Sequence, residues 1–100
     1  MQRLGVMDLH HAARAVAAAP QAQRAGLAAT LCSGAHVAHK YVKRLGRWHP
    51  VWGDGSLRAA THSFAKVEGR VMDTRMLDAY ITVLQCLERR LRENCRPSGV

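Results

Sequence analysis

A chain of 100 residues with 15 Lys and Arg against 7 Asp and Glu carries a formal charge of +8 and has room for one hydrophobic core. Alanine supplies much of its 48% apolar content, so the core is thin, and self-association is expected to add buried surface. The longest stretch without formal charge, residues 25–39, falls short of the ~20 apolar residues that span a bilayer, and Asp8, His10, His11 and Arg14 interrupt any apolar leader.

In chain order the pattern predicts four helices and no sheet, an all-α fold in which the second and fourth helices are long. Asp8 can cap a first helix reaching about Ala19, built on Leu9, Ala12, Ala13 and Val16. Pro20 either stops that helix or opens the second, which runs over about 20–45. In the second helix Leu27, Leu31, Ala35, Ala38, Val42 and Leu45 form one apolar stripe, and Gly46 supplies the stop. Residues 47–55 hold a proline, two glycines and two tryptophans, which predicts an ordered loop anchored by its indoles. Asp54 or Ser56 caps a third helix to about Val67, with Leu57, Ala60, Phe64 and Val67 inward and Gly69 as its end. Asp73 or Thr74 caps a fourth helix to about Asn94. There Leu77, Tyr80, Leu84, Leu87 and Leu91 make a heptad-like seam, flanked by Ile81 and suited to oligomerisation. Residues 1–100 read as a single helical domain, with residues 96–100 a flexible tail.

The charge is uneven. Residues 1–53 carry +6 and residues 54–100 carry +2, and no carboxylate lies between Asp8 and Asp54. A segment of one sign attracts polyanions and lacks the acid that general acid–base catalysis needs. His36, Lys40, Lys43, Arg44 and Arg47 fall on one face of the second helix and its exit. An ordinary solvated face would mix signs to gain i,i+4 pairs, so this one reads as a DNA phosphate contact. The stripe has no Asn or Gln, and backbone contacts with weak sequence preference are expected. A second cluster, Arg89, Arg90, Arg92 and Arg96, has Glu88 and Glu93 at pairing distance and reads as helix decoration.

The remaining candidates read as structure. Trp48 and Trp52 could stack on bases, but a loop between two helices needs anchors and packing explains them. Cys32, His36 and His39 lack a fourth ligand at any recognisable spacing, so neither a metal nor any other cofactor is expected. Cys32, Cys86 and Cys95 form no CxxC and read as free, mostly buried thiols of a cytoplasmic protein, Cys32 lying inert on the apolar side of its helix. His10 and His11 read as exposed N-terminal residues. No enzyme motif is present.

The run Lys43-Arg44-Leu45-Gly46-Arg47, then His49-Pro50, then Trp52-Gly53-Asp54-Gly55-Ser56-Leu57, resembles short proteins encoded beside the terminase of bacterial gene transfer agents, phage-like particles that package host DNA. Those proteins are similar to a small terminase subunit. The resemblance implies a non-enzymatic DNA-packaging accessory that forms ring-like homo-oligomers, engages DNA and recruits the large terminase ATPase/nuclease. By that analogy the second and fourth helices build the assembly, the basic stripe touches DNA, and Arg96-Pro97-Ser98-Gly99-Val100 meets the large subunit. The pattern departs from typical phage relatives in leaving no room for a separate N-terminal helix-turn-helix domain, which puts site-specific recognition in doubt. Two other readings stand beside it: a free-standing transcriptional or nucleoid-associated DNA binder, and an adaptor whose positive face meets an acidic protein.

Overall fold

The computed structural model describes residues 4–68 and 72–94. It contains α1 (Val6–Ala18), α2 (Gln21–Leu45), α3 (Leu57–Ala60) and α4 (Thr74–Asn94), with no strand among the described residues. The expected stop at Gly69 and the tail at 96–100 lie outside the described residues, as do Cys95 and Arg96.

Asp8 does not stand at the helix boundary expected of it. Gly5 is the N-cap of α1, and Asp8, three residues inside, accepts the Gly5 N–H on Oδ2 at 2.9 Å. Its Oδ1 accepts the Arg58 N–H of α3, also at 2.9 Å, so one carboxylate satisfies the orphan donors of two helices. The other end of α1 has no basic residue of its own. Arg24 Nε and Arg75 Nε reach in from α2 and α4 to the carbonyls of Ala19 and Ala17, at 3.1 and 2.6 Å. Guanidinium groups thus cover the negative end of a helix that would otherwise leave its carbonyls unpaired.

Pro20 serves as the N-cap of α2, and Gly46 closes it in the left-handed conformation (φ 69°), its N–H bonded to the Val42 carbonyl at 2.8 Å. α4 is opened by Asp73, whose side chain accepts the Met76 N–H at 2.9 Å. α3 is the main departure from the sequence reading. The expected helix to Val67 ends after one turn at Ala60, because the Thr61 N–H and hydroxyl both bond the Arg58 carbonyl, at 3.1 and 2.7 Å. The chain then runs back along α1. There Arg14 Nε donates to the Val67 carbonyl at 2.7 Å and the Val67 N–H donates to the Arg14 carbonyl. Leu57 and Ala60 are buried as expected, while Phe64 and Val67 pack half-buried from an irregular segment.

The core lies where α1 packs on α4, with α2 across both and α3 filling the gap between α1 and α2. Ala12, Ala13 and Val16 of α1, Leu31 and Ala35 of α2, and Met76, Ala79, Val83 and Leu87 of α4 belong to one buried cluster. Alanines let the helix axes come close, since each removes little more than a methyl from the gap. The fourth-helix seam divides. Leu87 is 4% exposed and belongs to this core, and Tyr80 is half-buried against α1, its hydroxyl 2.6 Å from His10 Nδ1. Leu77, Leu84 and Leu91 remain about half exposed, together with Ile81. His10 is therefore a packed residue and not a solvated one.

Cys32 and Cys86 bring α2 and α4 together with their sulfurs 3.9 Å apart as free thiols. Burial, with Cys86 beside it, pushes the Cys32 thiol up to about 12, which makes it inert as a nucleophile.

Candidate nucleic-acid interface

The cations of this chain sort into two classes by what they touch. Arg14, Arg24 and Arg75 bond backbone carbonyls, and Arg24 also pairs with Asp78 at 2.7 Å. Lys66 Nζ donates to the Thr61 carbonyl at 2.8 Å, Arg90 to the Ser33 hydroxyl at 2.6 Å, and Arg92 pairs with Glu88 at 2.7 Å. These groups hold the fold together or belong to local pairs. The other class holds Arg58, Arg89 and, at one helix end, Lys40, Lys43, Arg44 and Arg47. These last four are all exposed, and none makes a side-chain hydrogen bond or ion pair with a described residue.

The carboxylates explain why. Asp8 is engaged by the Gly5 and Arg58 amides, Asp54 by Ser56, Asp73 by the Met76 amide, Asp78 by Arg24 and Glu88 by Arg92. Five of the seven acids thus work as caps or partners away from the end of α2. Lys43 and Arg44 occupy the last turn of α2, where the helix dipole favours cations, and Lys40 lies about 6 Å further back, one turn along the axis. His36, the first residue of the stripe, is half-buried. Burial, then Lys40 and Arg90 among its neighbours, lowers its pKa, so it contributes less charge than the four that follow.

The loop after α2 is fixed by its own backbone. The His49 N–H bonds the Gly53 carbonyl at 2.8 Å and the Gly53 N–H returns to His49 at 3.1 Å. His49 Nδ1 accepts from the amides of Val51 and Trp52 at 3.0 and 3.1 Å, which puts the proton of the neutral ring on Nε2. The Tyr41 ring meets His49 edge-on at 4.9 Å, tying the loop to α2. Asp54 Oδ1 then accepts both the N–H and the hydroxyl of Ser56, while Ser56 Oγ caps α3 through the Ala59 N–H at 3.1 Å. These bonds, the hydroxyl first, hold the Asp54 carboxyl below its usual range.

The two tryptophans part company. Trp52 lies against Gly34, where a methyl would overlap the indole, and stacks on Phe64 at 6.2 Å with an interplanar angle of 18°. It is the anchor the loop was expected to need. Trp48 is 72% exposed, so packing does not account for it.

Behind Trp48 lies a basic group that linear sequence did not bring together. His11 of α1, Arg58 of α3, His62 and Lys66 line one cavity of about 600 Å³, with Trp48 at its lip. His11 is half-buried there, which corrects its reading as a solvated terminal residue. Burial first, then Arg58, Arg14, Lys66 and His10, lowers its pKa; Lys66 is lowered by burial and by Arg14. Residues 47 positions apart in sequence carry no periodic signal of such a meeting.

Among the described residues no three His, Cys, Asp or Glu side chains converge as a metal set, and no helix is long and apolar enough to cross a membrane. A family model described as "Domain of unknown function (DUF7742)" matches residues 2–87, and the chain belongs to that family. No curated protein and no solved structure matches it.

Proposed function

We propose that this member of the DUF7742 family is a non-enzymatic DNA-binding protein that grips phosphates through Lys40, Lys43, Arg44 and Arg47 and serves DNA packaging as a small terminase subunit does. One observation carries the DNA half: four exposed cations at one helix end, with no carboxylate of the described residues bonded to any of them. An unneutralised cluster of this kind binds a polyanion by releasing its counterions. The packaging half rests on the resemblance of residues 43–57 to the short proteins of gene transfer agents. Under this reading the partner is the large terminase subunit.

Self-association is the second part of the proposal. Leu77, Ile81, Leu84 and Leu91 give α4 an outer apolar face beside the one in the core. Leu4, Leu9, Leu84, Leu87 and Leu91 line an apolar concavity of about 500 Å³ next to it. A second copy is the occupant that fits. An antiparallel two-fold pairing centred on Leu84 sets Leu77 of one copy against Leu91 of the other.

The test is binding to random-sequence duplex across a salt series, light scattering for subunit number, and co-purification with the large terminase subunit. A free-standing regulator would instead prefer one operator over random DNA by ~4–10 kcal/mol. An adaptor for an acidic protein would bind duplex weakly at every salt concentration.

A further inference from the structure

The cavity behind Trp48 is lined by Arg58, Lys66 and three histidines, His11, His49 and His62, and by one carboxylate, Asp54. That carboxylate, whose Oδ1 accepts from both the amide and the hydroxyl of Ser56, is a single negative charge against Arg58, Lys66 and the histidines. The Arg58 guanidinium bonds no described residue; its backbone alone is engaged, the N–H by Asp8 and the carbonyl by Thr61. Lys66 gives one of its three protons to the Thr61 carbonyl and keeps two for a ligand. The lowered pKa values of His11 and Lys66 fit this picture, since burial and neighbouring cations act on both with no opposing acid among the causes. An anion would relieve the mutual repulsion of these groups. At the lip, Trp48 offers a 72% exposed indole that stacks on no ring among the described residues. His49, Pro50 and Val51 hold it there, the His49–Gly53 backbone pair fixing the loop.

A phosphate pocket with a free aromatic face beside it suits a nucleotide whose base is unpaired. We infer that this cavity binds a single unpaired nucleotide, its phosphate held by Arg58, Lys66, His11 and His62 and its base stacked on Trp48. The nucleotide can be a strand end or a free one in solution. The site stands apart from the stripe on α2 and deepens the DNA reading without depending on it: the stripe takes paired backbone, the cavity takes an unpaired base.

The experiment follows Trp fluorescence of the full chain as dTMP, inorganic phosphate, a 5′-phosphorylated duplex with a single-stranded overhang, and the blunt duplex are added. Native protein should show saturable quenching by dTMP that inorganic phosphate competes away. Trp48→Ala should abolish the quenching and weaken dTMP by about tenfold or more, the loss expected when the aromatic ring under one base is removed. Arg58→Gln and Lys66→Gln should each weaken dTMP and phosphate by about tenfold, as for a lost hydrogen bond to a charged group. Preference for the overhang over the blunt duplex assigns the strand end; equal binding of the two, with dTMP retained, assigns the free nucleotide. Absence of saturable quenching, unchanged affinity in folded Arg58→Gln, or equal affinity for phosphate and dTMP overturns the inference. Replacing the four stripe cations should leave dTMP binding within about twofold while duplex binding falls, so failure of one site is separable from failure of the other.

Discussion

Replacing Lys40, Lys43, Arg44 and Arg47 together by glutamine removes four cations that bond to no described residue. If each neutralises one phosphate, they contribute about −3.6 to the slope of log affinity against log salt, at about −0.9 per phosphate of duplex DNA. Between about 50 and 200 mM salt, that slope amounts to roughly a 150-fold loss of affinity in the native protein. The variant should show a slope shallower by about this amount and much weaker binding at low salt. Fluorescence anisotropy of a labelled random duplex measures both. The fold should survive, because exposed side chains without partners change stability by only about 0.5 kcal/mol each. Lys43 and Arg44 add somewhat more, about 0.3–1 kcal/mol apiece, since they face the dipole at the last turn of α2. A drop in Tm of several degrees is therefore expected, checked by far-UV circular dichroism. A folded variant with an unchanged slope would refute the assignment of the stripe to phosphate.

Gly34→Ala should destabilise the protein by about 1–3 kcal/mol in a denaturant titration, because the new methyl overlaps the Trp52 indole and the loop must shift. Leu87→Ala should lower stability by about 2–5 kcal/mol as a core cavity. Leu84→Ser, on the outer face of α4, should leave Tm nearly intact and reduce the mass seen by light scattering; an unchanged mass above that of one chain means α4 is not the interface. His11, His36 and His39 all have lowered pKa values, burial being the first cause of each. The unfolded chain then binds protons that the folded chain declines, so stability should fall as pH drops below about 6.5 towards the lower folded values. Thermal melts across that window check this, and His11→Gln should flatten the fall; a profile that rises on acidification contradicts it.

Helices with a local cause were legible in the sequence. α2 showed its stripe of Leu31, Ala35 and Ala38 and a glycine where a left-handed residue was required. α4 showed Asp73 ahead of a long apolar pattern. What was not legible was decided by contacts distant in sequence. Leu57, Ala60, Phe64 and Val67 have the spacing of a helix, yet Thr61 ends it and Arg14, 53 residues away, holds Val67 in place. On α4 the leucines drew attention to themselves, but apart from Leu87 the fully buried side chains are Met76, Ala79 and Val83. At about 100° per residue, those three point roughly 130° away from Leu77, Ile81 and Leu84. The apolar arc is wider than one neighbour can cover, and an alanine-rich partner selects the smaller residues. The cavity behind Trp48 had no linear signal; two tryptophans in a loop with one proline and two glycines were its only trace.

Net charge told less than the placement of partners. Arg14, Arg24 and Arg75 look like any other surface cation in a tally, yet each is tied to a carbonyl of the fold. Removing them from the count leaves, among the described residues, two groupings of cations, the end of α2 and the cavity between α1 and α3, with Arg89 alone on α4. The segment joining these places is the one whose string resembles the packaging proteins, and its uncharged residues have geometric work there. Gly46 ends α2, His49 and Gly53 close the loop, and Gly55 packs so near the His39 backbone that a Cβ there would meet Cα at 2.7 Å. Ser56 then starts α3, which presents Arg58 to the cavity. The glycines, the proline and the serine of this run set the relative position of two cationic groups, one facing outwards and one concave. A polyanion with both paired and unpaired parts would find a surface for each.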